Sequence, residues 1–158
     1  MVGLERAREL GAREDGLAVV VTTRADGTPQ ASVVNAGVID HPVTRDRVVG
    51  FVARGSVKKL ANLRACSRVT VVFRSGWEWV AVEGDAELAG PDDDLEGLEK
   101  TEIPRLLREV YSSAAGGAPD EWVHLDDEIA SERHTAVLIR VVRIYSNPGD
   151  STVTPDST

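Results

Sequence analysis

The sequence predicts a mainly β domain of the α+β class, a six-stranded antiparallel Greek-key barrel with peripheral helices. Three observations point there. Residues 17–89 read as β-branched runs joined by short connectors. Asp26-Gly27 stands between the first two runs, a strong hairpin signal. One further run, Thr135–Tyr145, arrives only after a long helical stretch. Early hairpins with one late returning strand suit an antiparallel key better than a parallel sheet, whose strands would alternate with helices.

Met1–Asp15 is charged and mildly amphipathic through Leu4, Ala7 and Leu10, which predicts an N-terminal helix over 1–15. Leu17–Arg24 (LAVVVTTR) is the first strand, and Gln30–Asp40 (QASVVNAGVID) is its partner across Ala25–Pro29. His41-Pro42 closes that strand, with His41 a turn residue, and Val48–Arg54 forms the third. Gly55-Ser56 then punctuates, and Ser56 is a good N-cap for a helix reaching Ala65. On that helix Val57, Leu60 and Ala61 form an inward stripe, Lys58 and Asn62 an outward one, and Lys59 lies at the edge. Arg68–Arg74 and Trp77–Ala89 are two more strands, hinged at Ser75-Gly76. Period two assigns Val80, Val82, Ala86 and Leu88 to the core face, and Trp77, Trp79 and Ala81 to the other.

Asp92–Tyr111 has helical spacing (Leu95, Leu98, Ile103, Leu106, Leu107, Val110), with Pro104 starting a second helix inside it. The triplet Asp92-Asp93-Asp94 fits an acidic helix start. Ser112–Pro119 reads as a small-residue loop, Asp126–Arg133 as a short acidic helix, and Thr135–Tyr145 as the closing strand. The organisation expected is one domain over 1–146 and a flexible polar tail over 147–158.

Composition excludes several classes. No apolar run approaches the ~20 residues that span a bilayer, and the N-terminus lacks a signal-like apolar core, so a cytoplasmic address and no membrane partner are expected. The single Cys66 rules out an internal disulfide framework and a CxxC zinc or redox pair. A formal net charge of −8 argues against generic duplex binding, which rests on phosphate neutralisation.

That charge is unevenly spread. From Arg47 to Trp77 there are seven basic residues (Arg47, Arg54, Lys58, Lys59, Arg64, Arg68, Arg74) and no Asp or Glu. Either an anion binds there or the segment is a solvated basic face. A helix N-terminus with lysines in its first turn is a ready phosphate site, with Arg54 close by. Trp77 and Trp79 on one face imply a stacking surface for a flat ligand or a subunit interface. His41, His124 and His134 show no metal-ligand spacing, and no nucleophile motif or nucleotide loop is present. Any enzyme here would rely on a bound cofactor for its chemistry.

The run Gly-Ser, Lys58-Lys59-Leu60-Ala61-Asn62-Leu63-Arg64, then Ser67-Arg68-Val69-Thr70-Val71 resembles the cofactor-binding segment of the pyridoxamine 5′-phosphate oxidase-like split β-barrel family. Gly76-Trp77-Glu78-Trp79-Val80-Ala81-Val82-Glu83-Gly84 resembles a strand of its deazaflavin-dependent reductase branch. The similarity runs from about Leu17 to Tyr145. It implies a homodimer with cofactor in the inter-subunit groove, either FMN or the deazaflavin coenzyme F-420 with its phosphate and acidic tail. Lys59 matches the family's phosphate-contacting lysine, Ser32 and Val34 match positions lining the ring, and Trp77 matches an aromatic near the cofactor. The pattern departs at Val57, where many members carry Arg, and at Cys66-Ser67, where Pro usually stands. Lys58 or Arg54 would then complete the phosphate clamp.

The expectation is an oxidoreductase passing a hydride from reduced F-420 to a small conjugated substrate such as a biliverdin, quinone or enone. Arg54, Arg64 and Arg68 would meet the anionic tail. Two alternatives stay open: an FMN-dependent oxidase or reductase of the same fold, and a tetrapyrrole or flavin binder without turnover. Tyr111, His124 and Tyr145 are equal candidates for a proton donor.

Overall fold

The computed structural model describes residues 3–115 and 132–147. Six antiparallel strands close into a barrel in the order β1-β2-β3-β6-β5-β4. They are β1 (Leu17–Thr23), β2 (Pro29–Asp40), β3 (Arg47–Ala53), β4 (Arg68–Ser75), β5 (Glu78–Ala89) and β6 (Thr135–Ser146). Three helices, α1 (Leu4–Arg13), α2 (Lys58–Ala65) and α3 (Ile103–Ala115), surround it. Each strand lies within a residue of its sequence-based bounds, because β-branched alternation and turn chemistry agree there. In the first hairpin, Thr28 donates to the Asp26 carboxylate through both its N–H and its hydroxyl, while Gly27 takes φ +86. Those bonds hold the Asp26 carboxyl below its usual range.

The connection from β3 to β4 runs through α2, so β4 lies beside β1 and not β3. The barrel interior is filled by Val20, Val49, Phe51, Val71, Phe73, Val82 and Ile139, all essentially inaccessible. Leu10 of α1 and Leu60 and Leu63 of α2 join this core. Strand β1 begins beside the end of α1, where Gly16 N–H bonds to the Gly11 carbonyl, and near its far end carries Thr22, which Asn62 of α2 touches. The two helices therefore close opposite ends of the barrel.

A second apolar cluster joins the outer face of Ile39, Val48, Ala136 and Leu138 to Ile103, Leu106, Leu107 and Val110 of α3. Gly37 allows this approach, since a Cβ there would stand 2.4 Å from Ser113 Oγ. Along β5 and β6 the register shifts between Glu83 and Gly84, leaving Val142 without a partner. A Cβ on Gly84 would lie 2.0 Å from the Arg140 carbonyl oxygen, so glycine is required at this bulge.

Four expectations need correction. Asp92–Leu98 is not helical: only a 3-10 turn (Lys100–Glu102) precedes α3, and α3 runs past Tyr111 through Ala115. The three aspartates go instead to cations, Asp92 to Arg133, Asp93 to Arg64 and Asp94 to Lys100. Ser56 does not cap α2; the extended residue before the helix is Val57, with no side-chain cap. Asn62 and Ala61 exchange places, Asn62 being buried and Ala61 exposed, because the Asn62 amide donates to Thr22 Oγ1 at 3.0 Å and Gln30 Oε1 at 2.7 Å. Finally, Asn147 belongs to the fold and not to a tail: its side chain accepts from Trp79 N–H at 3.0 Å and donates to the Trp77 carbonyl at 2.7 Å. The expected acidic helix falls mainly within 116–131, and the rest of the tail is 148–158, both outside the described residues. His41 is the turn residue expected: Nδ1 accepts the N–H groups of Val43 and Thr44, which puts the proton on Nε2, 3.1 Å from Glu87.

Candidate functional site

The seven basic residues of the window do not form one patch. Arg47 pairs with Glu5 at 2.8 Å, and Arg54 with Glu132 at 3.0 Å. Arg64 grips Asp93 through two parallel bonds of 3.0 and 2.7 Å. Arg68 lies 3.7 Å from Asp85, and Arg74 donates to the Gly76 carbonyl. Acids distant in sequence thus return in space. Lys58 and Lys59 alone of the seven make no ion pair or hydrogen bond among the described residues.

Both stand in the first turn of α2, which holds no acid to balance the helix dipole. A cation there is unfavourable unless an anion arrives. Lys58 is exposed, whereas Lys59 is half-buried, and burial lowers its pKa from the ordinary 10.5. A desolvated ammonium without a counter-charge is costly, and a phosphate would relieve that cost. Lys59 is the side chain best placed to receive one.

Beyond α2, the outer face of β2, β1 and β4 has no helix over it among the described residues. Leu17, Val19, Val33 and Val142 are 48%, 40%, 63% and 63% exposed. Val19 pairs with Val33 on one side and Val72 on the other, so these side chains form one apolar surface across three strands. It continues through Ala81 to Trp79 and Tyr145, whose rings meet edge to face at 6.0 Å. At the α2 end of the face lies a cleft of about 290 Å³ lined by Thr23, Arg68, Thr70, Glu83, Val142 and Arg143. Burial first, and then the bond to Glu83 and its charge, raise the Tyr145 pKa, so that group stays a neutral phenol.

The predicted site residues thus divide. Lys58, Lys59, Arg68 and Trp79 lie on α2 or the open face. Trp77 sits in the β4–β5 turn, 93% exposed, not on the strand face with Trp79. Ser32 and Val34 pair with Val20 and Ala18 on the interior side, and Val34 belongs to the core, so its side chain points away from the open face. Asn62, Arg54 and Arg64 spend their polar groups within the protein. Thr23, Thr70 and Arg143 were missed, although alternation places Thr70 with Arg68 and Arg74. A further chain joins Tyr111 Oη to His134 Nδ1 at 3.0 Å, His134 Nε2 to Glu132 at 3.0 Å, and Glu132 to Arg54. His124 lies outside the described residues.

Residues 5–146 match the pyridoxamine 5′-phosphate oxidase family. The chain belongs to that family. Its fold is similar to that of a conserved hypothetical protein from Mycobacterium tuberculosis, with a TM-score of 0.66 and 20% identity over 92% of this chain and 84% of that one. A pyridoxamine 5′-phosphate oxidase-related, FMN-binding protein from Nostoc punctiforme aligns with a TM-score of 0.61 and 15% identity, over 90% and 78% of the two chains. A protein from Clostridium acetobutylicum related to general stress protein 26 gives 0.59 and 11%, over 91% and 87%. No curated protein matches the sequence. Identities this low carry the fold alone, and family membership rests on the sequence match.

Proposed function

We propose that this protein is an FMN-dependent oxidoreductase that works as a homodimer, with the flavin phosphate on Lys59 and the ring over the open apolar face. The observation that carries the reading is Lys59, a half-buried ammonium with no counter-charge among the described residues, at the position that resembles the family's phosphate-contacting lysine. The family match and the FMN-binding relative favour FMN over F-420.

The residues fit the group. Lys59 supplies a charge-assisted hydrogen bond, worth about 1.5–3 kcal/mol. Leu17, Val19 and Val33 form an apolar floor on which a second copy of the chain would exclude water from a groove between the subunits. Trp79 gives that groove an aromatic wall, and Tyr145 holds a proton at Oη near neutral pH. Bound FMN would supply the redox chemistry that no side chain here offers. The chain's part is then to orient cofactor and acceptor within the ~3–3.5 Å that transfer requires. The acceptor class is a small conjugated molecule such as a quinone, enone or tetrapyrrole.

F-420 is the second reading, favoured only by Lys58, an exposed cation that a longer anionic tail would find. The arginines that would have completed a tail site, Arg54, Arg64 and Arg68, already stand beside Glu132, Asp93 and Asp85. Fluorescence titrations with FMN and F-420 separate these readings, and acceptor reduction by the loaded protein separates an enzyme from a binder. Micromolar FMN binding, weaker F-420 binding and turnover are expected. Tighter F-420 binding would overturn the choice of cofactor, and binding without turnover on any acceptor would overturn the enzymatic reading.

A further inference from the structure

The chain carries a second concentration of positive charge, away from α2 and the open face. Between α1, the β2–β3 hairpin and α3 lies a cleft of about 720 Å³, within the size range of small-molecule sites. Arg8 of α1, Arg47 of β3, and Arg105 and Arg108 of α3 all line it, opposed by Asp40 and Glu109. Four guanidinium groups from three elements in one cleft are unexpected in a chain of net charge −8. Val38 and Ile39 form part of the wall, and Ser112 adds a hydroxyl.

The decisive geometry is at Glu5. Its Oε1 accepts from Arg47 Nη1 at 2.8 Å and lies 3.4 Å from Arg8 Nη1. Two arginines on different elements already converge on one anionic oxygen. That oxygen is attached to an exposed side chain that can swing away. Arg105 is exposed and makes no ion pair among the described residues. We propose that this cleft binds a small organic phosphate, a phosphomonoester or diphosphate. Arg8 and Arg47 take one side of the phosphate group and Arg105 the other, with the apolar wall against the organic portion. Glu5 is an internal competitor that the ligand displaces. Guanidinium suits this task because its planar fork meets phosphate oxygens in pairs. The site shares no lining residue with the α2 turn or the open face, so it stands whether or not the flavin assignment holds.

The test is calorimetric titration of the full-length protein with inorganic pyrophosphate at low salt, for wild type, Arg47→Ala, Arg105→Ala, Glu5→Gln and Lys59→Ala. Binding to the wild type is expected, at least tenfold weaker in Arg47→Ala and in Arg105→Ala. Glu5→Gln should bind severalfold more tightly, a gain that mere misfolding cannot produce, and Lys59→Ala should keep the binding component that the two arginine variants weaken. Absence of binding up to millimolar pyrophosphate would overturn the proposal. So would loss of binding in Lys59→Ala with the two arginine variants unaffected, since the anion would then sit at α2. No gain in Glu5→Gln would remove the competitor role and the convergence argument with it.

Discussion

Lys59 is held by the barrel in a state it would not choose alone. Its half-burial lowers its proton affinity below the ordinary 10.5, through desolvation. Between the folded and unfolded pKa values the unfolded chain binds more protons, so stability rises with pH in that window. Lys59→Met removes that rise. In urea unfolding of the cofactor-free protein, the variant should exceed the wild type in stability at neutral pH and lose this lead as pH climbs toward 10.5. A constant difference across that range would mean that packing and not charge separates the two. The residue types at the α2 turn were legible in sequence. Their pairing was not, because Asp93 and Glu132, which take Arg64 and Arg54, lie 29 and 78 residues away along the chain.

At the scale of elements, turn chemistry and β-branched alternation made the six strands readable to within a residue. Asp92–Leu98 misled because acids and leucines at helical spacing imitate a helix start, while Gly90-Pro91 and three separate cation partners hold the backbone in turns. The β5–β6 bulge left only a faint mark in sequence, the glycine at 84, whose purpose depends on a carbonyl 56 residues later. Gly84→Val would force that carbonyl away from a Cβ otherwise 2.0 Å distant. A loss of roughly 3 kcal/mol or more is expected, on the scale of severe overpacking. Denaturant unfolding reads it directly, and a loss under about 0.5 kcal/mol, the scale of a neutral surface change, would show that the bulge yields cheaply.

For the whole molecule, α1 and α2 close the barrel ends and α3 covers one flank, leaving the β2–β1–β4 face with contiguous exposed valines. An apolar sheet face of this kind marks an interaction surface. Val33 is 63% exposed there, beside Val19 of the central strand, so Val33→Glu should convert a dimer into a monomer by light scattering while the far-UV spectrum stays unchanged. A wild type already monomeric at tens of micromolar would contradict the groove between subunits. The acid-free window was a partial guide at this scale: it located Lys58 and Lys59, but most of its arginines meet acids that the fold returns to them. The four-arginine cleft drew on Arg8, Arg105 and Arg108, which no single stretch of sequence groups together.

In the proposed function Lys59 holds the phosphate of a bound flavin. This role is tested most directly by FMN fluorescence titration of Lys59→Ala beside the wild type and Arg64→Ala. Binding at least tenfold weaker is expected in Lys59→Ala, about 1.4 kcal/mol, with unchanged binding in Arg64→Ala, whose partner is Asp93. An unchanged dissociation constant in Lys59→Ala would contradict that role.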